Sequence, residues 1–277
     1  MKITVVGLGL IGGSLCKHIK KHTDHIVSGI DTNPETVAMA LSQGAIDYEE
    51  KAPGSADITV IGLFPDKCIE YCIENAKKFK KHSIVMDVCG IKSEVVKAVE
   101  PVLAENDVIF VGCHPMAGRE FSGFEYSLDD LFNEASFIMT PTENTPQTAV
   151  NLLEDLANAI KFKKVVITTA EEHDSIIAFT SQLAHVVSSA YIKSPTSSRQ
   201  SGFSAGSYQD LTRVAKLNED MWTPLFLMNK DPLLFEIDNI IGRLTEYRNS
   251  IAGNDFDTLH ELLKNGRILK ENSLKNS

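Results

Sequence analysis

The chain has 277 residues, 43% of which are hydrophobic, and a formal net charge of -10. That length and apolar content can fill more than one core, so we expect two domains. The negative charge argues against nonspecific binding to nucleic acid or anionic lipid, because both partners attract basic surfaces.

The five cysteines are scattered and odd in number, which indicates reduced thiols rather than a disulfide framework. Cys68 and Cys72 lie one helical turn apart, but structural zinc pairs usually have a shorter spacing and need two more ligands, so we expect no metal. The sequence opens directly on an apolar strand without the features of a signal peptide, and we expect no run of transmembrane length. These observations predict a cytoplasmic protein.

Short runs rich in valine and isoleucine alternate with helical patterns in the first part of the chain. This order is typical of a parallel sheet covered by helices on both faces. The predicted strands are 3–6, 26–30, 58–63, 84–87, 108–112, 137–140 and 165–168. The predicted helices between them include 13–21, 34–43, 66–80 and 92–103. The pattern predicts an α/β fold with an N-terminal Rossmann-type parallel sheet domain.

After Thr168 the strand pattern stops and only helices follow. They are predicted at 170–191, 210–215, 220–228, 231–250 and 256–269. Such a change marks a domain boundary, so we expect a sheet domain at 1–168 and an all-α domain at 169–277. The helices carry long apolar faces, with residues such as Tyr191 and Phe235, that one short helical domain would not bury alone. We therefore expect a homodimer formed through this domain.

A glycine-rich turn directly follows the first predicted strand and opens the first helix. It reads Gly7-Leu8-Gly9-Leu10-Ile11-Gly12. Gly7 permits the tight turn, Gly9 lets the backbone approach a pyrophosphate, and Gly12 lets the helix pack closely on the strand. The helix that follows the turn then points free N–H groups at the phosphates, and Leu10 and Ile11 of the turn are also expected to contact the cofactor. The turn predicts a dinucleotide site.

The second predicted strand is followed by Asp31, at the spacing where Rossmann domains bind the adenosine ribose hydroxyls. This carboxylate would repel a 2′-phosphate, and neither Thr32 nor Asn33 supplies a cation to accept one. The sequence therefore predicts NAD rather than NADP as cofactor. The alternative is an ordinary strand-to-helix turn in which Asp31 caps the next helix.

His114 lies at the carboxyl end of a predicted strand, in the segment Val111-Gly112-Cys113-His114-Pro115-Met116-Ala117-Gly118. Ligands of open α/β sheets bind at that edge. Together with the run 118–125, the segment closely resembles that of prephenate dehydrogenases. The resemblance covers nearly the whole chain and includes 5–14, 44–47, Pro65, Asp87, Lys92, Asp129, Leu131, Phe132, 181–185, 210–215 and Trp222.

This resemblance implies NAD-dependent oxidative decarboxylation of prephenate to 4-hydroxyphenylpyruvate in tyrosine biosynthesis, by a homodimer joined through its helical domains. His114 is then the candidate base for the substrate hydroxyl. Arg213 would bind a substrate carboxylate, with Asp210 one turn earlier able to orient it. Further substrate contacts are implied at His185, Gly118 and Trp222, and further cofactor contacts at Pro65 and Asp87.

The chain departs from the family pattern at Gly90. Many members have Asp-x-x-Ser-x-Lys, where this chain reads Asp87-Val88-Cys89-Gly90-Ile91-Lys92, so the serine hydroxyl is missing. Gln182 and Ala184 also stand where relatives often carry histidine and proline. Three alternatives stay open at this point: arogenate as the substrate, a hydroxyacid or imine reductase of the same architecture, and a nonenzymatic NAD-binding sensor.

Overall fold

The computed structural model describes residues 1–119 and 121–275, in which eight strands form one sheet. The strands are β1 (Lys2–Val6), β2 (Ile26–Ile30), β3 (Tyr48–Glu49), β4 (Ile58–Ile61), β5 (Ile84–Asp87), β6 (Ile109–Pro115), β7 (Ser136–Thr140) and β8 (Lys164–Ile167). Their order across the sheet is β3-β2-β1-β4-β5-β6-β7-β8. Strands β1 to β6 are parallel.

The last two strands reverse the direction of the sheet. Strand β7 pairs antiparallel with β6 and parallel with β8, so that His114 on β6 lies opposite Ile138. The predicted Rossmann-type α/β fold is confirmed, and the antiparallel pairing of β7 with β6 is the one departure from a parallel sheet among the described strands. The sequence prediction also missed β3, because two residues are too short to show an alternating pattern.

Helices cover the sheet on both faces. They are α1 (Leu10–His22), α2 (Pro34–Ser42), α3 (Pro65–Asn75), α4 (Ser93–Ala104) and α5 (Gln147–Ala159). One buried cluster joins the sheet to α1, α2 and α5 through residues such as Leu15, Val37 and Leu153. A second cluster joins the opposite face to α3 and α4 through Cys68 and Val99. This three-layer packing leaves the carboxyl ends of β1 to β6 at one edge.

The chain after β8 is helical in the described residues. The helices are α6 (Ala170–Ile177), α7 (Ala184–Ile192), α8 (Gly206–Thr212), α9 (Glu219–Met228), α10 (Lys230–Ala252) and α11 (Phe256–Lys275). A π-helical stretch, Ala178–Leu183, joins α6 to α7, where the sequence predicted one regular helix. Helix α8 begins four residues before the predicted start, so that Arg213 follows its last residue. Single π turns are frequent at functional sites.

By length and composition, the stretch Ala170–Ile192 could cross a membrane, which contradicts our expectation that no such run exists. Of the most apolar part of this stretch, 28% is buried inside the protein. A core helix of a soluble protein passes the same test, so one such helix is weak evidence for a membrane span.

The chain divides into two compact units, Met1–Asn229 and Lys230–Ser277. The first unit contains the whole sheet and helices α1 to α9. The second consists of α10 and α11, which pack against each other. All the residues predicted to form the site belong to the first unit.

Candidate active site

The glycine-rich turn between β1 and α1 has the conformation that its sequence predicts. Gly7 has a φ of +84°, and its N–H donates to the Ile30 carbonyl at 2.8 Å. A Cβ on Gly12 would lie 1.9 Å from the Gly7 carbonyl oxygen, so any side chain there would separate helix from strand. A Cβ on Gly9 would meet no atom within 4 Å. Gly12 is therefore packed against the protein, whereas the backbone at Gly9 can be approached by a ligand.

The N-terminus of α1 is free to bind an anion. Gly9 is its N-cap residue, no side chain of the described protein caps it, and its first turn contains no acidic residue. The N–H groups of Leu10 and Ile11 belong to this turn, whose first backbone hydrogen bond runs from the Gly13 N–H to the Gly9 carbonyl. Free N–H groups and the helix dipole both favour a phosphate. The turn therefore fits a pyrophosphate.

Asp31 lies just beyond β2 and is held beside the glycine-rich turn. Its carboxylate accepts hydrogen bonds from the Leu8 N–H and the Asn33 N–H, both at 2.8 Å. The N-cap of α2 is Asn33, whose side chain accepts from the Glu35 N–H at 2.9 Å. Capping is therefore done by Asn33, and Asp31 is positioned against the loop.

Two other residues predicted to contact the cofactor are buried. Pro65 is the first residue of α3. Asp87 is fully buried, accepts from the Cys89 N–H at 2.9 Å and the Cys113 N–H at 3.2 Å, and is paired with the ammonium of Lys92. These bonds tie the end of β5 to β6 immediately before His114.

Asp87 also belongs to a cluster of three buried groups of the kind that bind metals. The thiols of Cys68 and Cys89 and a carboxylate oxygen of Asp87 lie within 4.8 Å of one another. Hydrogen bonding to neighbouring thiols, together with burial, raises the pKa of both cysteines well above its usual range. Protonated thiols and a carboxylate already paired with Lys92 make this cluster a poor metal site.

His114 lies next to the last residue of β6 and is half-buried. Its Nδ1 is 2.9 Å from Nε2 of His173, and Nδ1 of His173 is 2.8 Å from a carboxylate oxygen of Asp174. Burial lowers the pKa of His114 well below its usual value, the neighbouring His173 and Lys92 lower it further, and Asp174 opposes them. The imidazole is therefore neutral at neutral pH, as a base must be.

The other ring nitrogen of His114 faces the loop after β5. A Cβ on Gly90 would lie 3.9 Å from Nε2 of His114 and 4.0 Å from Cδ2 of Leu225 on α9. Those separations are ordinary van der Waals contacts, so the position could hold a side chain. Gly90 therefore leaves space beside Nε2 where many relatives place a serine.

Helix α9 connects this space to the predicted substrate-binding residues. Trp222, one turn before Leu225, has its ring 4.0 Å from that of His185 between centroids. Nδ1 of His185 is 3.2 Å from the carbonyl of Val214. Arg213 is the neighbour of Val214 in sequence, so His185 links α9, which lies beside Gly90, to the Arg213 segment.

Two of the remaining predicted residues are exposed to solvent in the described structure. Asp210 is exposed on α8, and Gly118 is exposed in the turn after β6, where a Cβ would meet nothing within 4 Å. Glu120, part of the motif in this turn, lies outside the described residues. The sequence analysis missed His173 and Asp174, whose signal was an adjacent His-Asp pair in the first helix after the sheet.

A glycine-rich phosphate loop and a neutral histidine at the carboxyl edge of the same sheet define the class of dinucleotide-dependent dehydrogenases. The family model for the nucleotide-binding domain of prephenate dehydrogenase matches residues 15–167, and the model for its dimerization domain matches 169–265. The chain belongs to the prephenate dehydrogenase family.

Individual relatives match along most of their length. The prephenate dehydrogenase of Bacillus subtilis is 31% identical, over 97% of this chain and 75% of the relative. The cyclohexadienyl dehydrogenase of Zymomonas mobilis is 30% identical, over 95% of this chain and 92% of the relative. Both similarities therefore include the sheet and the helical part.

Solved structures show the same fold. The prephenate dehydrogenase of Aquifex aeolicus, in complex with hydroxyphenyl propionate and NAD+, has a TM-score of 0.86 and 27% identity, covering 98% of both chains. The Synechocystis arogenate dehydrogenase has a TM-score of 0.85 at 23% identity, covering 99% of this chain and 100% of the other. At that identity the second likeness shows the fold alone.

Proposed function

We propose that this protein catalyses the NAD-dependent oxidative decarboxylation of prephenate to 4-hydroxyphenylpyruvate, a step of tyrosine biosynthesis. The observation that carries the proposal is the neutral, hydrogen-bonded His114, whose Nε2 lies beside Gly90 at the carboxyl edge of a sheet that bears a dinucleotide loop. The Aquifex relative binds NAD+ and a phenol with a carboxylate arm, which is the shape of the proposed product.

The proposed reaction needs one base, which takes up a proton from the substrate and later returns it. The loop of Gly7, Gly9 and Gly12 would hold NAD, which would supply the acceptor for the hydride that leaves C4 of prephenate. Nε2 of His114 takes the proton of the C4 hydroxyl, the bond between C1 and its carboxylate breaks to release carbon dioxide, and the electron pair makes the ring aromatic. His114 returns the proton to the phenolic oxygen. General base catalysis of this kind contributes a factor of roughly 10² to 10⁴.

The two carboxylates of prephenate need cations in a protein whose net charge is negative. Arg213 is proposed to bind one of them, because a guanidinium binds a carboxylate through two parallel hydrogen bonds. Asp210, one turn earlier, is proposed to orient Arg213. His185, Trp222 and Gly118 are proposed to line the same pocket, since His185 contacts Trp222 and the Arg213 segment.

The test of this proposal is to mix the protein with NAD and prephenate and to follow the absorbance of the reduced cofactor. We expect reduction that depends on both prephenate and protein. A protein that binds NAD but reduces none with prephenate would contradict the proposal and favour a sensor.

Asp31 is expected to make NAD the better cofactor by at least roughly tenfold in kcat/KM, the equivalent of about 1.4 kcal/mol of differential binding. The reason is that its carboxylate, held by the Leu8 and Asn33 N–H groups, would repel a 2′-phosphate. The paired change Asp31→Ala with Thr32→Arg should move the preference toward NADP. Steady-state kinetics with both cofactors measure this, and equal kcat/KM values for the unmodified protein would contradict it.

A homodimer formed through residues 169–277 is also proposed, in a protein of the cytoplasm. Exposed apolar side chains on α10 support it, including Phe235 at 66% exposure and Ile251 at 61%. The family model that matches this region is a dimerization domain. All five cysteines are free and buried, as suits a reducing compartment.

Light scattering at micromolar concentration is expected to give twice the chain mass of 30.5 kDa. The physical reason is that covering apolar side chains as exposed as Phe235 with a second copy removes them from water, which lowers the free energy. Phe235→Glu should weaken the dimer, whereas Lys81→Glu, an exposed charge change in the sheet domain, is the control. A monomer at that concentration would contradict the proposal.

A further inference from the structure

A line of hydrogen-bonding groups runs from His114 into the protein. His114 contacts His173 at 2.9 Å, and His173 contacts Asp174 at 2.8 Å, although 59 residues separate the two histidines in sequence. His173 is 2% exposed and Asp174 is 3% exposed. Both lie on α6, which packs against α4. The line ends on a buried carboxylate and begins at the half-buried His114.

Asp174 is held as an ionised acceptor. Its two oxygens accept the N–H groups of Lys92 at 2.8 Å and Ser93 at 2.7 Å, where α4 begins. Burial alone would raise the pKa of Asp174, but the hydrogen bonds from His173, Ser93 and Lys92 outweigh burial and lower it. An ionised carboxylate only accepts hydrogen bonds. The contact with Asp174 therefore requires a proton on Nδ1 of His173.

That proton fixes the rest of the line when both rings are neutral. A neutral imidazole has one donor and one acceptor, so a His173 protonated at Nδ1 accepts at Nε2. Nδ1 of His114 must then donate to it, which leaves Nε2 of His114 without a proton. This is the nitrogen that lies beside Gly90. One buried carboxylate thus determines the proton position two rings away.

We propose that His173 and Asp174 are positioning residues that hold His114 in the tautomer with its proton on Nδ1, so that Nε2 is the base. This inference rests on the proposed function for its chemical use, but the tautomer is a property of the protein itself. The charged or titratable groups that affect His114 in the described structure are His173, Lys92 and Asp174. Lys92 is paired with Asp87, which leaves Asp174 as the carboxylate that stabilises a proton gained by the pair of rings.

The direct test is imidazole ¹⁵N NMR of the unmodified protein at about pH 8, above the ordinary histidine pKa. Chemical shifts distinguish a protonated ring nitrogen from an unprotonated one. We expect His114 to be protonated at Nδ1 and unprotonated at Nε2. The opposite tautomer, which a cationic His173 donating to His114 would produce, overturns the inference. The assignment of the His114 signal comes from its loss in His114→Asn.

Kinetics of two variants at His173 separate positioning from simple packing. His173→Leu removes the acceptor for Nδ1 of His114, whereas the amide oxygen of His173→Gln can still accept. We expect His173→Leu to lower kcat by roughly 10²-fold or more, as loss of a tautomer-fixing partner does in other enzymes. His173→Gln should recover part of this loss. Both variants should bind NAD with unchanged affinity and leave KM for prephenate within a few fold.

Asp174→Asn tests the far end of the line. An amide that turns its NH₂ toward His173 would reverse the direction of donation and place the proton on Nε2 of His114, so kcat should fall while the ¹⁵N signals show the other tautomer. His82→Asn, in an exposed turn at the other end of β5 with a φ of +61°, is the matched control and should change neither.

The results of these experiments are separable. If the unmodified protein does not oxidise prephenate, the proposed function fails. The tautomer of His114 measured by NMR still tests whether His173 and Asp174 position it. If it does oxidise prephenate but both His173 variants keep full kcat, His173 is a packing residue and the inference is wrong.

Discussion

Replacing His114 by asparagine should lower kcat for prephenate oxidation by roughly 10² to 10⁴, the contribution of a positioned general base. Asparagine keeps a polar group of similar reach, but its amide cannot accept a proton at neutral pH. NAD affinity should stay within a few fold, because the glycine-rich turn and Asp31 lie at β1 and β2 rather than on β6. Steady-state kinetics measure the change in kcat, and fluorescence titration measures the affinity for NAD.

The pH profile adds a second readout for the same residue. Burial and the neighbouring His173 lower the pKa of His114, so the imidazole stays neutral to a pH below the ordinary value of about 6.5. The rate should therefore fall on the acidic side only below that value, as His114 takes up a proton. His114→Asn should lose this acidic limb. Near-normal turnover with an intact limb would identify His114 as structural and direct the search for the base to His185.

Replacing Lys92 by methionine should reduce the free energy of unfolding by about 3 to 5 kcal/mol, the usual cost of leaving one partner of a buried ion pair alone. The side chains of Lys92 and Asp87 are both 0% exposed, and the ammonium also donates to the Cys113 carbonyl at 2.7 Å. Methionine fills similar volume but leaves the Asp87 carboxylate unpaired. Urea denaturation measures the loss.

Two further variants show whether charge, rather than packing, causes this effect. Lys92→Met combined with Asp87→Asn removes the unpaired charge and should be less destabilised than Lys92→Met alone. Lys81→Met removes a lysine whose ion pair with Asp107, at 2.8 Å, is exposed, and should leave the midpoint nearly unchanged. If Lys92→Met unfolds at the same urea concentration as Lys81→Met, the pair does not stabilise the fold as described.

The sequence predicted those parts of the site whose residues lie close together along the chain. The turn from Gly7 to Gly12 and the position of Asp31 depend on one strand, one helix and the next strand, and the structure places Asp31 against that turn. The carboxyl edge holding His114 follows from the general rule for open α/β sheets. Local patterns therefore sufficed for the dinucleotide loop and for the candidate base.

The parts that the sequence did not predict depend on long-range contacts. His173 and Asp174 looked like polar residues on a helix, and only the packing of α6 against α4 brings them to His114. The reversal of β7 likewise has no local signal, because a short apolar strand reads the same in either direction. The pairing of the Asp87 oxygens with Lys92 and two backbone N–H groups was likewise not apparent from the sequence, where Asp87 was expected to contact the cofactor.

Prephenate labelled in its ring carboxylate allows the stoichiometry of the proposed reaction to be measured. We expect NADH, labelled carbon dioxide and 4-hydroxyphenylpyruvate to form in equal amounts. Arogenate, which carries an amino group in place of the side-chain ketone, is assayed beside it at the same concentrations. Oxidation of arogenate with no turnover of prephenate, or release of carbon dioxide without NADH, would show that the protein does not catalyse this reaction.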